Sequence, residues 1–193
     1  MRITDLLDKR SISLDAVPAD KKATLDMAVE LMAKSGKLMD VEQYRAQVYA
    51  REEESTTGIG EGIAIPHGKC DAVKTPGLAA MVIKNGVDYD SLDGEPVTLL
   101  FLIAAPNTKD NVHHPPGSAG GGGGLHLSVM LMDENFTTSL RNAKSVEEFL
   151  QIIDAADESA KSIDDRLSDT GITTEEKKSF KLLAVTSCPT GIA

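Results

Sequence analysis

The segment 51–68 constrains the fold of this chain more than any other part of the sequence. It reads REEESTTGIGEGIAIPHG, which is a charged stretch with one arginine, a stretch with three glycines, and a short apolar run. Glycine lets backbone N–H groups approach a neighbouring group closely, and Pro66 has no N–H with which to extend a sheet. The pattern predicts a helix end, a glycine-rich loop, and a short strand that stops at Pro66 and presents His67.

The chemistry of this segment favours a site where a histidine meets an anion. Imidazole has an ordinary pKa of about 6.5, so much of His67 is neutral and nucleophilic near pH 7. The guanidinium of Arg51 offers a planar fork to a phosphate. Both features also have an explanation without a ligand. The glycines suit a tight connection, and the helix dipole favours a cation such as Arg51 in the last turn. The P-loop pattern GxxxxGK[ST] is absent and the glycines precede a strand, which disfavours a nucleotide site.

The composition is that of a globular protein with an acidic surface. The 193 residues are 41% hydrophobic and 26% charged, and the formal net charge of −10 argues against nucleic acid as a partner. There is no apolar run of eighteen residues and no secretory signal, so we expect a cytoplasmic location. Cys70 and Cys188 form no zinc pattern, and the four histidines lack HxH or HExxH spacing. We therefore expect neither a metal nor a cofactor.

Helical and strand patterns mix along the chain, which predicts an α/β domain. Asp20 is a predicted N-cap, and Ser145 with Glu148 forms a predicted capping box. Asn85-Gly86 is predicted to be a turn. The predicted helices are 2–10, 20–36, 41–53, a helix from about 125, 135–143 and 145–156. The predicted strands are 11–14, 63–65, 78–83, 87–92 and 97–104.

The run from Glu52 to Gly68 resembles the phosphorylation-site signature of the fructose/mannitol-type enzyme IIA domain of the bacterial phosphoenolpyruvate-dependent sugar phosphotransferase system. The resemblance covers about residues 1–155 and implies a mixed β-sheet flanked by helices on both faces. In that family the histidine that follows the proline carries the phosphoryl group, which implies this role for His67. The resemblance further implies that three residues stabilise the phosphoryl oxygens: Arg51, Thr57 and Gly58.

A second histidine is implied by Asn111-Val112-His113, which follows the predicted central strand as the second family histidine does. The resemblance gives His113 the role of orienting His67 or steadying the phosphoryl oxygens, with His114 and His126 as alternatives. The chain then departs from the family pattern. Residues 115–124 contain two prolines and six glycines, which no stable helix interior holds, and their composition is that of a flexible linker.

The last residues of the chain carry a second resemblance. An apolar run leads into Cys188-Pro-Thr-Gly-Ile-Ala, which resembles the opening of a fructose-type enzyme IIB domain and implies Cys188 as its phosphoacceptor. A lone first strand does not fold by itself. We therefore expect an enzyme IIA-like phosphocarrier domain over 1–155, a polar linker over 156–179, and a truncated start of a IIB-like domain over 180–193. The full-length protein is expected to meet the membrane only through a later IIC domain.

Taken together, the two resemblances imply a phosphoryl relay. The phosphocarrier protein HPr passes a phosphoryl group to His67, and His67 passes it to a IIB cysteine in cis for coupled sugar uptake and phosphorylation. The IIB-like tail favours fructose as the sugar. The alternative is a IIA-like regulatory module whose interactions are controlled by phosphorylation, as in nitrogen-regulatory proteins and transcription antiterminators. The CPTGIA tail favours the permease.

Overall fold

The computed structural model describes residues 2–107 and 127–169, with side chains through residue 159. The chain divides after Asp157, and the sheet and the two cores below belong to the unit Met1–Asp157. The helices of the described chain are α1 (Ile3–Leu6), α2 (Lys21–Lys34), α3 (Val41–Glu54), α4 (Glu134–Asn142) and α5 (Val146–Asp169), the last of which continues past Asp157. Its strands are β1 (Leu7–Ala16), β2 (Gly58–Gly60), β3 (Ile63–Ala64), β4 (His67–Cys70), β5 (Gly77–Val87) and β6 (Val97–Pro106). Residues 127–130 are also helical.

The six strands form one mixed sheet. The order is β1-β5-β6-β3-β2, and β4 also pairs with β6. β1 runs parallel to β5, β5 antiparallel to β6, and β6 parallel to both β3 and β4. β2 lies at the edge as the antiparallel partner of β3. The α/β prediction with a mixed sheet is confirmed.

The sheet is covered on both faces, so its central strands contribute to two hydrophobic cores. Successive side chains of a strand point to opposite faces. The β5 residues in the core with α2 and α3 are Ala79, Met81, Ile83 and Val87. Those in the core with α1, residues 127–131, α4 and α5 are Leu78, Ala80 and Val82. Burial on both faces explains why β5 and β6 read as continuous apolar runs without polar alternation.

Capping residues set the ends of α2 where the sequence predicted them. The Asp20 carboxylate accepts a hydrogen bond from the Ala23 backbone N–H at 2.8 Å, so the predicted N-cap is confirmed. Gly36 follows the helix with a φ of +72°, a left-handed conformation that glycine adopts without a Cβ penalty. Tertiary packing of the face that includes Leu25, Val29 and Met32 then fixes α2 against the sheet.

The N-terminal helix is shorter than the predicted 2–10, and the first strand is longer than the predicted 11–14. β1 pairs with β5 from Leu7, opposite Leu78, to Ala16, opposite Ile83, with register shifts along the way. Ladder hydrogen bonds and burial against β5 are non-local, and they override the local helical pattern of 7–10. The exposed Arg10 bonds its neighbour Asp8 at 2.9 Å on the strand instead of a partner one helical turn away.

The predicted turn at Asn85-Gly86 is wrong, and so is the predicted edge strand over 87–92. β5 continues through both residues to Val87, which pairs with Val97 of β6, so the reversal lies in 88–96. The register shifts between Val82 and Val87, and Gly86 has a φ of +67°. Asn-Gly here forms an irregularity inside a strand, because a positive φ suits a bulge as well as a hairpin turn.

The two predicted C-terminal helices are present, and the second one extends beyond its predicted end. The Ser145 hydroxyl accepts a hydrogen bond from the Glu148 N–H at 3.1 Å, which confirms the cap. The Glu148 carboxylate accepts a hydrogen bond from the Lys144 N–H, one residue before the Ser145 N–H that a capping box would use. α5 continues to Asp169, where a polar linker with a short helix was predicted, because the segment is rich in helix-forming residues.

The predicted division into 1–155, 156–179 and 180–193 stays a prediction, since residues 170–193 lie outside the described residues. No helix in the described part of the chain is both long enough and apolar enough to cross a membrane.

Candidate functional site

Arg51 lies in the last turn of α3, where the sequence predicted it. The helix begins at an N-cap, Asp40, whose carboxylate accepts from the Gln43 N–H at 3.0 Å. At the other end, Nη1 of Arg51 donates to the backbone oxygen and the hydroxyl of Ser55 at 3.2 and 3.1 Å. The arginine therefore caps its own helix with one nitrogen, which holds the rest of the guanidinium in a defined position.

His67 opens β4, and the strand before it, β3, ends at Ala64, so the predicted stop of this strand before Pro66 is confirmed. Ala64 pairs with Leu100 of β6 and His67 pairs with Ile103, so β3 and β4 continue in the same register along one neighbour. Pro66 only interrupts the pairing, because it has no N–H, and its carbonyl accepts from the Ile103 N–H at 3.0 Å. His67 is therefore anchored on both sides by sheet hydrogen bonds.

The glycine-rich stretch is a β-hairpin and not the loop that the sequence predicted. β2 and β3 are joined by Glu61 and Gly62, whose φ values are +55° and +72°. Two positive φ values are the requirement of a tight two-residue hairpin turn. The Glu61 N–H donates to the Asp93 carboxylate at 2.7 Å, which supports this conformation in a non-glycine residue. The hairpin returns the chain to the end of α3 and brings His67 to Arg51.

Arg51 and His67 form a direct hydrogen bond. Nε of Arg51 lies 3.0 Å from Nε2 of His67, and Nδ1 of His67 lies 3.2 Å from the Ile65 carbonyl oxygen. The arginine N–H only donates, so Nε2 must be the acceptor and carry the lone pair. The proton then resides on Nδ1 and is donated to Ile65. The geometry thus selects one tautomer, with Nε2 as the nucleophilic nitrogen.

A cleft of about 550 Å³ opens beside this pair. Among the described residues that line it, two are cationic, Arg51 and Lys69, and none is acidic. Both side chains of the Arg51–His67 pair are half-buried. A cleft with this charge balance attracts an anion such as a phosphoryl group.

Next to Arg51, Glu52 points to the interior and forms a network that the sequence reasoning missed. Its carboxylate is buried and accepts from the Thr57 N–H at 2.9 Å, the Thr57 hydroxyl at 2.5 Å and the Lys21 ammonium at 2.9 Å. The Tyr89 hydroxyl adds a fourth contact at 3.4 Å. Burial raises the pKa of Glu52, but these hydrogen bonds and the Lys21 charge outweigh it and hold the pKa below its ordinary value.

A sequence signal for Glu52 does exist. Tyr44 and Val48 are apolar residues four positions apart in the predicted helix, and Glu52 follows them at the same spacing. Tyr44, Val48 and Glu52 are the three buried residues of α3. A carboxylate on the buried face of a helix must be paired, so the spacing alone predicts a hydrogen-bonded network there.

The two predicted phosphate-binding residues are engaged within the protein. Both donors of Thr57, the N–H and the hydroxyl, bond to Glu52, although Thr57 also lines the cleft. The Gly58 N–H donates to the Thr56 hydroxyl at 3.2 Å, and Gly58 packs against Ser91. Their contact with a phosphoryl group therefore stays a prediction.

Four further predicted residues lie outside the described residues: His113, the alternatives His114 and His126, and Cys188. The described chain on either side of 108–126 meets the cleft, since Ala105 and Ser128 both line it. Within 2–107 and 127–169, no group of three or more histidine, cysteine, aspartate or glutamate side chains is placed to hold a metal ion.

A family model and several known proteins are similar to this chain. Residues 5–156 match the family model described as phosphoenolpyruvate-dependent sugar phosphotransferase system, EIIA 2. The chain is 40% identical over 193 residues to the PTS system fructose-specific EIIABC component of Bacillus subtilis (strain 168), which covers 100% of this chain and 29% of that relative. The chain thus spans under a third of the length of this curated relative.

Two crystal structures resemble the fold. Nitrogen regulatory protein IIA-Ntr from Neisseria meningitidis gives a TM-score of 0.66 at 28% identity, covering 78% of this chain and 98% of that one. IIA mannitol from Escherichia coli gives a TM-score of 0.61 at 26% identity, covering 76% and 97%.

Proposed function

This chain belongs to the EIIA 2 family of the phosphoenolpyruvate-dependent sugar phosphotransferase system, and from that premise we propose that His67 carries the phosphoryl group. The chain is a phosphoryl-transfer component of that system. The observation that carries the assignment to His67 is the 3.0 Å hydrogen bond from Arg51 Nε to His67 Nε2. It keeps a lone pair on Nε2 and a permanent positive charge beside the nitrogen that is to be phosphorylated.

The proposed step is an in-line displacement at phosphorus. The Nε2 lone pair forms the new N–P bond while the P–N bond of the donor phosphohistidine breaks, and its electron pair returns to the donor imidazole. The Nδ1–H bond to Ile65 stabilises the positive charge that the His67 ring gains. Because Nε2 has one lone pair, the Arg51 N–H moves its hydrogen bond from Nε2 to a phosphoryl oxygen before the N–P bond forms, so the same donor serves both states. Positioning and charge stabilisation are what such a transfer asks of a protein.

An exposed apolar rim next to the cleft supports docking of a protein partner. Ile59 lines both the His67 cleft and a neighbouring groove of about 490 Å³, where Leu92 and Met132 also lie. Leu92 is 77% exposed and Met132 is 80% exposed. Large exposed apolar side chains that cluster at a reactive centre are typical of an interaction surface. We assign this rim to HPr as the donor and to a IIB domain as the acceptor.

The acceptor proposal extends to a longer protein. The Bacillus subtilis relative is a fructose-specific EIIABC component, and the match to it runs over the whole of this chain, including the Cys188 segment. We propose that His67 passes the phosphoryl group to a IIB cysteine in cis, with Cys188 as the candidate, and that the sugar is fructose. The predicted cytoplasmic location of the domain belongs to the same proposal.

The alternative, a regulatory module controlled by phosphorylation, is favoured by the likeness to nitrogen regulatory protein IIA-Ntr. That structure covers 78% of this chain and shares the fold. The EIIABC relative matches all 193 residues. The permease component is therefore the better-supported function.

Intact-mass spectrometry after incubation with phosphoenolpyruvate, enzyme I and HPr tests the assignment. We expect one acid-labile phosphoryl group on the wild type and none on His67→Gln, because glutamine has no nucleophilic nitrogen. Arg51→Gln is expected to accept the group at least tenfold more slowly, since the stabilising charge is lost. His113→Ala tests the predicted second histidine and is expected to slow transfer without abolishing it.

His114→Ala and His126→Ala test the two alternatives for the second histidine and do not touch the proposed acceptor. Both are expected to accept the phosphoryl group at the wild-type rate. Circular dichroism and thermal unfolding must show that His67→Gln is folded. A phosphoryl group on folded His67→Gln, or none on the wild type beside an active EIIA reference domain, refutes the assignment.

A further inference from the structure

A second and larger cleft lies at the end of the sheet opposite to His67. It has a volume of about 1010 Å³ and is walled by β1, the end of β5, the start of β6, the C-terminal part of α2 and the connection between α4 and α5. Thr98 in its wall is five residues before Ile103, the sheet partner of His67. Five residues of strand span roughly 17 Å, so this cleft is separate from the transfer site.

The charge of this cleft is opposite to that of the chain. One acidic residue lines it, Asp15, against five cationic ones: Arg10, Lys34, Lys84, Arg141 and Lys144. The whole protein has a net charge of −10. Concentrating like charges in one cleft is unfavourable unless an anion offsets them. The cleft therefore has the electrostatic character of an anion-binding site.

Most of these cations have no acidic partner. Arg10 is neutralised by Asp8, which it contacts with two nitrogens at 2.9 Å each. Lys34, Lys84 and Lys144 form no ion pair with any side chain that the structure describes. All three are exposed on the cleft wall, so their ammonium groups can reach a bound molecule.

Arg141 gives the cleft a fixed element. Its Nη2 donates to the Glu61 carbonyl at 2.6 Å, and it passes so close to Gly62 that a Cβ there would lie 3.2 Å from Nη2. Its Nε is buried and has no hydrogen-bond partner within the described chain. A guanidinium has five N–H donors, so Arg141 is held in place while donors remain for an oxyanion. Burial also lowers the pKa of Arg141, a cost that a bound anion offsets.

We propose that this cleft binds a small organic phosphate, a phosphate ester of about hexose size with two or more negative charges. A phosphate accepts the fork of Arg141, and the ammonium groups of Lys84 and Lys144 line the same cleft as point charges. The volume exceeds that of a phosphate ion and leaves room for a carbon skeleton. The apolar part of the wall, which includes Ile12 and Val82, provides the surface for that skeleton.

The test is a ¹H–¹⁵N NMR titration of the full chain with inorganic phosphate, a hexose monophosphate and a hexose bisphosphate, at constant ionic strength. We expect saturable shifts for the two hexose phosphates that are confined to 12–15, 82–84 and 141–146, with tighter binding of the bisphosphate. The unphosphorylated hexose is the negative control. Shifts centred on His67, or none that saturate, overturn the proposal.

Paired charge variants make the test specific. Lys84→Gln with Lys144→Gln removes two exposed cleft charges and is expected to weaken hexose bisphosphate binding about tenfold or more. Lys22→Gln with Lys74→Gln removes two exposed lysines elsewhere and is expected to leave binding unchanged. Equal weakening in both pairs means general charge attraction and overturns the proposal. Binding of an acidic peptide by the wild type without binding of hexose phosphates overturns it in favour of a protein-docking surface.

Phosphoryl acceptance by His67, measured on the same three preparations, separates the two proposals. The cleft variants are expected to accept a phosphoryl group from HPr at the wild-type rate, because the changed residues lie at the other end of the sheet. If hexose phosphate binding is absent while phosphoryl acceptance is normal, only the proposal for this cleft is refuted. If the wild type accepts no phosphoryl group, only the proposal for His67 is refuted.

Discussion

Replacing Glu52 with glutamine is expected to destabilise the fold by about 2 kcal/mol at pH 7. The glutamine amide has nearly the same shape as the carboxylate, but it lacks the charge and replaces one acceptor oxygen with a donor. Glu52 accepts three short hydrogen bonds, two from Thr57 and one from Lys21. All of them are charge-assisted, and Thr57 is buried.

The magnitude follows from the change in the class of hydrogen bond. A bond to a charged group contributes about 1.5–3 kcal/mol and a neutral bond about 0.5–1.5 kcal/mol, so each bond that is kept weakens by about 1 kcal/mol. The Lys21 side chain is 27% exposed, so water compensates for part of the weakening of its hydrogen bond to residue 52. The two Thr57 bonds therefore dominate, which gives about 2 kcal/mol in all.

The pH dependence gives the same prediction an independent check. The folded-state pKa of Glu52 is below its ordinary value, whereas in the unfolded chain it is about 4.3. The charge therefore stabilises the fold fully above the unfolded pKa, and this contribution is lost as the pH falls through the folded pKa. The stability difference between wild type and Glu52→Gln is expected to be constant from pH 7 to about 5 and to narrow below about 4.3.

Urea unfolding followed by circular dichroism at a series of pH values measures both effects. Glu53→Gln is the matched control, because Glu53 is the next residue and is exposed, and it is expected to change stability by less than about 0.5 kcal/mol. The reasoning fails if Glu52→Gln is as stable as Glu53→Gln at pH 7. It also fails if the difference from wild type stays the same down to pH 3.

Two core substitutions test the packing around the site and on the far face. Gly68→Ala places a Cβ 2.8 Å from Cε2 of Tyr44, so urea unfolding should show a loss of roughly 1–3 kcal/mol, and wild-type stability would mean that the ring moves aside freely. Phe149→Ala removes a fully buried ring that lies 6.1 Å from the ring of Phe101. It should cost roughly 3–5 kcal/mol, and a loss below about 1 kcal/mol would contradict the packing of α5 on the sheet.

Elements with strong local signals were predictable from the sequence. The apolar runs 78–83 and 97–104 are the central strands, and the Asp20 cap begins α2. The structure at Asn85-Gly86 was not predictable from the sequence. A positive φ at Gly86 is compatible with a turn or a bulge, and the pairing of Val87 with Val97 decides between them. That pairing joins residues that local pattern does not connect.

The predicted boundary between the N-terminal helix and the first strand was wrong for the same reason. The stretch from Leu7 to Arg10 has a local helical pattern, but a parallel strand partner begins at Leu78, far along the chain. Register with a distant strand is a property of the whole fold, and sequence windows of ten residues do not contain it.

The reactive pair was predictable in identity but not in geometry. The proline before His67 and the preceding Arg51 single out the two residues, and the family resemblance gives them their roles. The 3.0 Å contact and the tautomer it imposes depend on how the hairpin at Glu61 folds back, which requires backbone angles that sequence does not supply. The predicted roles of His113 and Cys188 stay predictions, since both lie outside the described residues.

Arg51 and Glu52 show why the site is compact in sequence. Successive residues of a helix point about 100° apart, so Arg51 reaches into the cleft while Glu52 reaches into the interior. Glu52 accepts a hydrogen bond from Thr57, the residue immediately before the hairpin, and so sets where the hairpin begins. The hairpin then returns His67 to Arg51. One turn of helix therefore supplies both the charge beside the reactive nitrogen and the anchor that brings that nitrogen to the charge.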